Sequence, residues 1–280
     1  MARRSVRTTI HTRTVREGGG FLVRRPAAMG AMMSPFLLLD EMGPVHYGPG
    51  EAIGAPDHPH RGFETVTYLL DGCMVHADSA GNSGVLSPGD VQWMTAGRGV
   101  IHSELPHPDF LASGGRSHGF QIWVNLPASQ KMMAPRYQDV PSASIPEARS
   151  DDGGVWAKVI AGSCLGAEAV IDTVLPITYL HLRMQPGAAL LQPVAHDLNA
   201  MLYLFGGAVE VEGRRVEDGH LALLLPGDEV ELSACEDGAE LLLLAGPVLD
   251  EPIARYGPFV MNTEEEIEQA IEDYRAGILA

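Results

Sequence analysis

Apolar and polar residues change places at every second position over short stretches of this chain, and Gly-, Pro- or Asp-rich turns separate the stretches. Val6-Arg7-Thr8-Thr9-Ile10 and Phe21-Leu22-Val23, joined through Gly18-Gly19-Gly20, predict a β-hairpin. Residues 35–41 predict a short buried strand with Asp40 and Glu41 at its end, as caps or ion-pair partners. A Gly/Pro-rich loop over 43–56 precedes the next strand. That strand starts at His60, and strict alternation puts Gly62, Glu64, Val66, Tyr68 and Leu70 on the face of His60. Asp71-Gly72 then reads as a hairpin turn. Residues 73–77, 91–94, 100–104 and 119–125 predict further strands, turned at Ser79–Gly84, Pro88-Gly89-Asp90 and Gly97-Arg98-Gly99. Short strands at roughly 8–12-residue spacing point to an all-β sandwich or barrel.

The second half repeats the first in outline. Tyr203-Leu204-Phe205-Gly206-Gly207 echoes Tyr68-Leu69-Leu70-Asp71-Gly72, an offset of about 135 residues. Between the halves, residues 126–150 carry four prolines and little alternation. We place the division there, with domains at 1–134 and 135–280. The end changes character. Thr263 and Glu266 fit a capping box, three glutamates complement a helix N-terminus, and Ile267, Ile271, Tyr274 and Ile278 make an apolar stripe that should pack on a sheet.

Composition narrows the function. A hydrophobic share of 45% over 280 residues supports a large core, and 32 Gly with 20 Pro favour turns over long helices. A net charge of −17 argues against nucleic acid and anionic membrane as partners. The early arginines (Arg3, Arg4, Arg7, Arg13, Arg16, Arg24, Arg25) read as a solvated edge that balances acidic neighbours. Cys73, Cys164 and Cys235 are odd in number and far apart, and no apolar segment follows Met1, so a reduced, cytoplasmic protein without a signal peptide is expected. The runs Leu221–Leu225 and Leu241–Ala245 are five residues each, too short to span a bilayer.

Against that frame stand His58-Pro59-His60 and His102-Ser103-Glu104. On a strand, residues i and i+2 point to one face, roughly 6.6 Å apart. Two such pairs on facing strands would aim three imidazoles and one carboxylate at one point, a donor set for a divalent transition metal. Mixed His/carboxylate sets are typical of non-haem Fe(II) sites with open positions for oxygen or substrate. Structural zinc favours Cys-rich sets, and neither pair contains Cys. Affinity alone does not select the metal, so Mn, Co, Ni, Cu and Zn compete with Fe(II).

Long motifs then identify a resemblance. The stretch His58–Val66, the stretch Gly89–Gly99 and Ile101-His102-Ser103-Glu104 closely resemble the signature of pirins, as do residues 35–40, 121–127 and 258–263. The resemblance implies a bicupin: two β-barrel (double-stranded β-helix) domains with a short C-terminal helix. It also implies one metal, usually iron, in the N-terminal cupin, with ligands on His58, His60, His102 and Glu104. Some bacterial pirins resemble quercetin 2,3-dioxygenases in activity. Eukaryotic relatives are described as iron-dependent co-regulators, and others as binding metabolic enzymes. The function implied is oxidation of a flavonol-type enol or catechol with dioxygen; the alternative is a non-enzymatic iron- or redox-sensing protein read by a protein partner. Many cupins use a glutamate at the Glu64 position as ligand. Glu64 lies four residues past His60, about 13 Å along a regular strand, so Glu104 is expected on the metal and Glu64 behind it, orienting a histidine. Both carboxylates are candidate bases. Phe63, Trp93, Met94 and Ile122 are expected along an apolar pocket. In the second domain Pro193, Ala195 and Asn199 fall opposite His58, His60 and Glu64, so no metal is expected there.

Overall fold

The computed structural model describes residues 1–26 and 31–280. They form short antiparallel strands and two α-helices, α1 (Pro108–Ser113) and α2 (Glu264–Arg275). Among the described residues no helix is long and apolar enough to cross a membrane. The chain divides into two compact units, one of Thr14–Arg25, Phe36–Ser142 and Leu249–Ala280, the other of Met1–Arg13, Pro26–Pro35 and Ala143–Val248. The sequence leads to a single division at 134/135, whereas the units are assembled from interleaved segments. Residues 1–13 join the later half and residues 249–280 join the earlier one.

The unit that carries the histidine pairs contains two sheets. Its strands begin with the end of β1 (Val6–Glu17), then β2 (Phe21–Pro26), β3 (Phe36–Tyr47), β4 (Ala55–His60), β5 (Phe63–Asp71) and β6 (Met74–Asp78). They continue with β7 (Ser83–Leu86), β8 (Val91–Thr95), β9 (Val100–Pro106), β10 (Gly115–Asn125) and β11 (Arg136–Val140). One sheet has the order β11-β8-β5-β10-β3-β2, the other β4-β9-β6-β7. Gly18-Gly19-Gly20 turns β1 into β2, as the spacing predicts, whereas Asp71-Gly72 makes no hairpin: β5 pairs with β8 and β10, and the chain crosses there to β6, which pairs with β7 and β9 in the other sheet. At the start of β3's polar half, Arg24 grips Glu41 at 2.7 and 2.8 Å, and Arg25 grips Asp40 at 2.5 and 2.6 Å. The two acids are therefore ion-pair partners.

Alternation does not run unbroken from His60 into β5. Arg61 and Gly62 interrupt it, and the chain passes from one sheet to the other. Gly62 has φ +92°, a region that side chains rarely adopt. A Cβ there would stand 2.0 Å from the carbonyl oxygen of Val260. Lys131 Nζ ties the same corner, donating to Gly62 O at 2.7 Å, Asn125 Oδ1 at 2.5 Å and Val260 O at 3.0 Å. The expectation that Glu64 shares the face of His60 fails at this corner.

Helix α2 belongs to this unit and has the expected capping box between Thr263 and Glu266. Ile267 and Ala270 pack against Phe259, Met261 and Leu279. The expected stripe is narrower than its spacing implies, because Tyr274 and Ile278 stay 41% and 68% exposed.

The other unit is an antiparallel barrel-like stack built on the long strands Leu198–Val211 and Glu229–Pro247. Its interior is aliphatic: Leu180, Leu182, Leu202, Leu204, Leu241 and Leu243 are fully buried in one cluster. The leucine runs of the sequence supply both faces of their strands, since Leu242 and Leu244 are also fully buried.

Candidate metal centre

Strands β4 and β9 are hydrogen-bonded neighbours, not facing strands, and His58 stands directly opposite His102. The pairs therefore converge within one sheet. Residues i and i+2 keep His60 on the side of His58, and the antiparallel register adds His102 to the same side. One ring nitrogen of each histidine lies within 4.8 Å of the other two. Among the described residues this is the group of His, Cys, Asp and Glu arranged to hold a metal.

The rings are oriented by what their other nitrogens touch. His58 Nδ1 lies 2.8 Å from Pro56 O. A carbonyl only accepts, so Nδ1 carries the proton and Nε2 presents its lone pair. His60 Nδ1 faces Pro258 O at 3.4 Å, and its ring is boxed by Phe63 at 5.1 Å and Trp123 at 5.4 Å between centroids. His102 is 1% exposed, and neither ring nitrogen has a hydrogen-bond partner among the described residues. A buried polar group left so costs about 1–3 kcal/mol, which a bound cation would remove. Burial pushes the pKa of His60 well below its ordinary value, helped by His102 and His58. Burial likewise lowers His102 to about 4, against the pull of Glu104. Both imidazoles are thus neutral at pH 7 and have lone pairs to give. The donor set fits a divalent transition metal.

Glu104 follows His102 by two residues and lines the same cavity. Its Oε1 accepts from Thr67 Oγ1 at 2.7 Å, and it stands outside the tight histidine triad. Glu64 is not brought to the histidines. Register pairs it with Val124 and Thr95, on the opposite face of β5 from Thr65 and Thr67. There it is fully buried and accepts from Thr95 Oγ1 at 2.7 Å. Arg61 pairs with Asp273 at 2.7 Å.

His58 and His60, with Glu104, open onto a cavity of about 620 Å³ lined from both sheets, and His102 lies buried behind them. Leu38, Met42, Leu69, Met74, Phe110 and Trp123 supply apolar wall. The four residues expected there, Phe63, Trp93, Met94 and Ile122, do not line it. Trp93 and Ile122 pair with Val66 on the face of β5 away from Thr67, and Met94 is buried with Ala96 and Val100. Phe63 is nearest to the expectation, stacking on Trp123 behind His60. Sequence reasoning also missed Thr67 and Gln121. The signal was present as Thr65 and Thr67 alternating with Val66 and Tyr68, but it is useful only once the polar face is known to be the inner one. At the wall, Arg255 lies 4.7 Å over the Trp123 ring, and Cys73 lines the cavity without a disulfide.

The family model described as Pirin matches residues 17–124, and that of the Pirin C-terminal cupin domain matches 179–280. Human pirin is 41% identical over 97% of this chain and 92% of its own length. The crystal structure of a quercetin 2,3-dioxygenase from Acinetobacter baumannii is 37% identical, covers 100% of this chain and 99% of its own, and superposes with a TM-score of 0.94. A bacterial pirin from Escherichia coli, solved in complex with nickel(II), is 18% identical with a TM-score of 0.64 over 86% of this chain and 99% of its own, and shares the fold.

Proposed function

Because the chain belongs to the pirin family and is built of two cupin domains, we propose that its histidine-bearing cupin is a metal-dependent dioxygenase acting on flavonol-type enols or catechols. The observation that carries the proposal is the convergence of three imidazoles, two of them kept neutral by burial and one without a hydrogen-bond partner among the described residues, beside an apolar-walled cavity of about 620 Å³ that His58 and His60 line. His58, His60 and His102 would hold the metal, with Glu104 as fourth ligand, and Fe(II) is the proposed occupant. When bound, such a metal supplies Lewis acidity toward a chelating hydroxyl and redox access to dioxygen.

The rest falls to the chain's own residues. The carbonyls of Pro56 and Pro258 orient the first two imidazoles. Leu38, Met42, Leu69, Met74 and Phe110 exclude water and offer a flat aromatic ligand an apolar seat. Glu104 takes the proton of the substrate hydroxyl, leaving an enolate on the substrate and a carboxylic acid on the protein. Glu64 faces away from this cavity and has no part in the proton transfer we propose. The free cysteines suit a reducing compartment, and the cytoplasm belongs to the same proposal.

Incubation of the Fe(II) protein with quercetin in air and under nitrogen tests it. Consumption of the flavonol with oxygen uptake in air, and neither under nitrogen, is the expected result. Loaded protein that leaves quercetin unchanged in air would sink the enzymatic reading and favour a redox-sensing protein with a protein partner.

A further inference from the structure

One corner of the cavity carries charge that the chemistry of the histidines does not use. The hairpin of Ala254–Tyr256 and Phe259–Met261 borders the metal centre, tied down next to His60 where Val260 N donates to Arg61 O at 3.1 Å. Its turn holds Pro258, whose carbonyl faces His60 Nδ1. Three residues earlier stands Arg255, which also lines the cavity. The Arg255 guanidinium lies 4.7 Å from the centroid of the Trp123 ring, and that centroid lies 5.4 Å from the centroid of His60, so the cation stands no more than about 10 Å from the imidazole.

The groups around Arg255 leave most of its donors unspent. Arg25 holds both nearby acids, Asp40 through two hydrogen bonds and Glu17 at 2.7 Å. Those carboxylates act on Arg255 through space, but among the described residues it makes no ion pair and donates only to Leu37 O, at 3.3 Å. A guanidinium has five N–H donors in a rigid fork. Stacking on Trp123 uses its face and leaves its edges free for a planar oxyanion. Burial and the nearby Arg25 lower its pKa, yet an arginine stays charged at any working pH. The other acids of the lining, Asp57 and Glu104, are next to His58 and two residues from His102, at the end where the metal belongs.

We propose that Arg255 is a specificity-determining residue that receives a carboxylate, so that the substrate class is an enol or catechol carrying an acidic arm on the side remote from its chelating oxygens. The chelating end rests on the dioxygenase reading; the preference for an anion is read from binding and needs no turnover. The probes are 3,4-dihydroxycinnamate and its methyl ester, which share one catechol and differ in the charge at the end of a rigid arm. Their binding is measured by calorimetry under nitrogen, with the protein loaded with Ni(II), for wild type, Arg255→Met and Arg255→Lys. Wild type is expected to bind the acid about tenfold more tightly than the ester, the yield of one partly solvated, charge-assisted pair. High salt should erode that preference, because the corner is open to solvent. Arg255→Met keeps an unbranched chain over Trp123 and removes every donor; it should bind the two probes alike, with the ester at wild-type affinity. Arg255→Lys should keep part of the preference. Arg255 is exposed on its hairpin, so these replacements leave the core intact. Equal affinities in wild type, or a preference that survives in Arg255→Met, would overturn the proposal. Binding of neither probe would overturn it as well, with quercetin turnover still deciding the dioxygenase reading. A preference for the acid in a protein that leaves quercetin unchanged would defeat that reading and uphold the anion preference.

Discussion

The two cupins of this chain use the same strand alternation to opposite ends. In the histidine-bearing unit the inner positions include Thr65, Thr67, Gln121, His102 and Glu104, and Gln121 and Glu104 line a cavity there. In the other unit Val155, Val159, Leu180, Leu182, Leu202 and Leu243 fill the inside. Where the first has His58, His60 and Glu64, the second has Pro193, Ala195 and Asn199, and the Asn199 amide is committed to Ser34 O at 2.7 Å. The difference shows what a polar barrel interior demands. Each buried polar atom needs a partner, and Thr65, Gln121, Thr67 and Glu104 provide one another with theirs. His102 has none among the described residues, which marks where a ligand would belong. A leucine interior has no such requirement and contributes packing alone.

The contrast can be broken most sharply at the carboxylates. Glu104→Gln should weaken metal binding and lower flavonol turnover at least tenfold, since in the proposed site the same side chain serves metal and proton. Glu64→Gln should leave both near wild type and cost only stability, since its carboxylate faces Thr95. Metal loss in Glu64→Gln with retention in Glu104→Gln, followed by metal analysis, would reverse the assignment. In the filled barrel the largest expected effect is on stability. Leu243→Ala removes a fully buried side chain and should cost about 2–5 kcal/mol in denaturant unfolding, with metal content unchanged.

Acid should act on the open barrel. His102 has a folded pKa of about 4 against an ordinary 6.5, so the unfolded chain binds its proton first. Its contribution is present above pH 6.5 and is lost as pH falls from 6.5 through 4. Metal-free protein should lose roughly 3 kcal/mol across that window, and His102→Asn should flatten the loss. Equal acid sensitivity in wild type and His102→Asn would remove the histidine from the account. The smallest effect is at the helix cap. Thr263→Ala leaves the Glu266 amide without its acceptor and should cost about 1 kcal/mol in thermal unfolding, without touching metal binding.

Local geometry made much of the site legible in advance. The i, i+2 spacing of His58 with His60 and of His102 with Glu104 needs only that each pair lie on a strand, and each does. The turn at Gly18–Gly20 and the Thr263–Glu266 box are equally local. What failed depended on distant chain. The face of Glu64 was misread because the break at Gly62 answers to the carbonyl of Val260, far along the sequence. The cavity wall draws Phe21, Ile53, Phe110 and Arg255 from separate segments, and no periodicity joins them. The interleaving of the two units, with residues 1–13 in one and 249–280 in the other, likewise leaves no mark in alternation or turn chemistry.

The central claim is that one cupin holds the metal and the other is filled. Titration of metal-free protein with Fe(II) under nitrogen, beside a His58→Ala/His60→Ala double variant, tests it most directly. The account predicts about one tight equivalent per chain in wild type and none in a double variant that remains folded. A second tight equivalent that survives in the double variant would place a metal where the structure shows leucine.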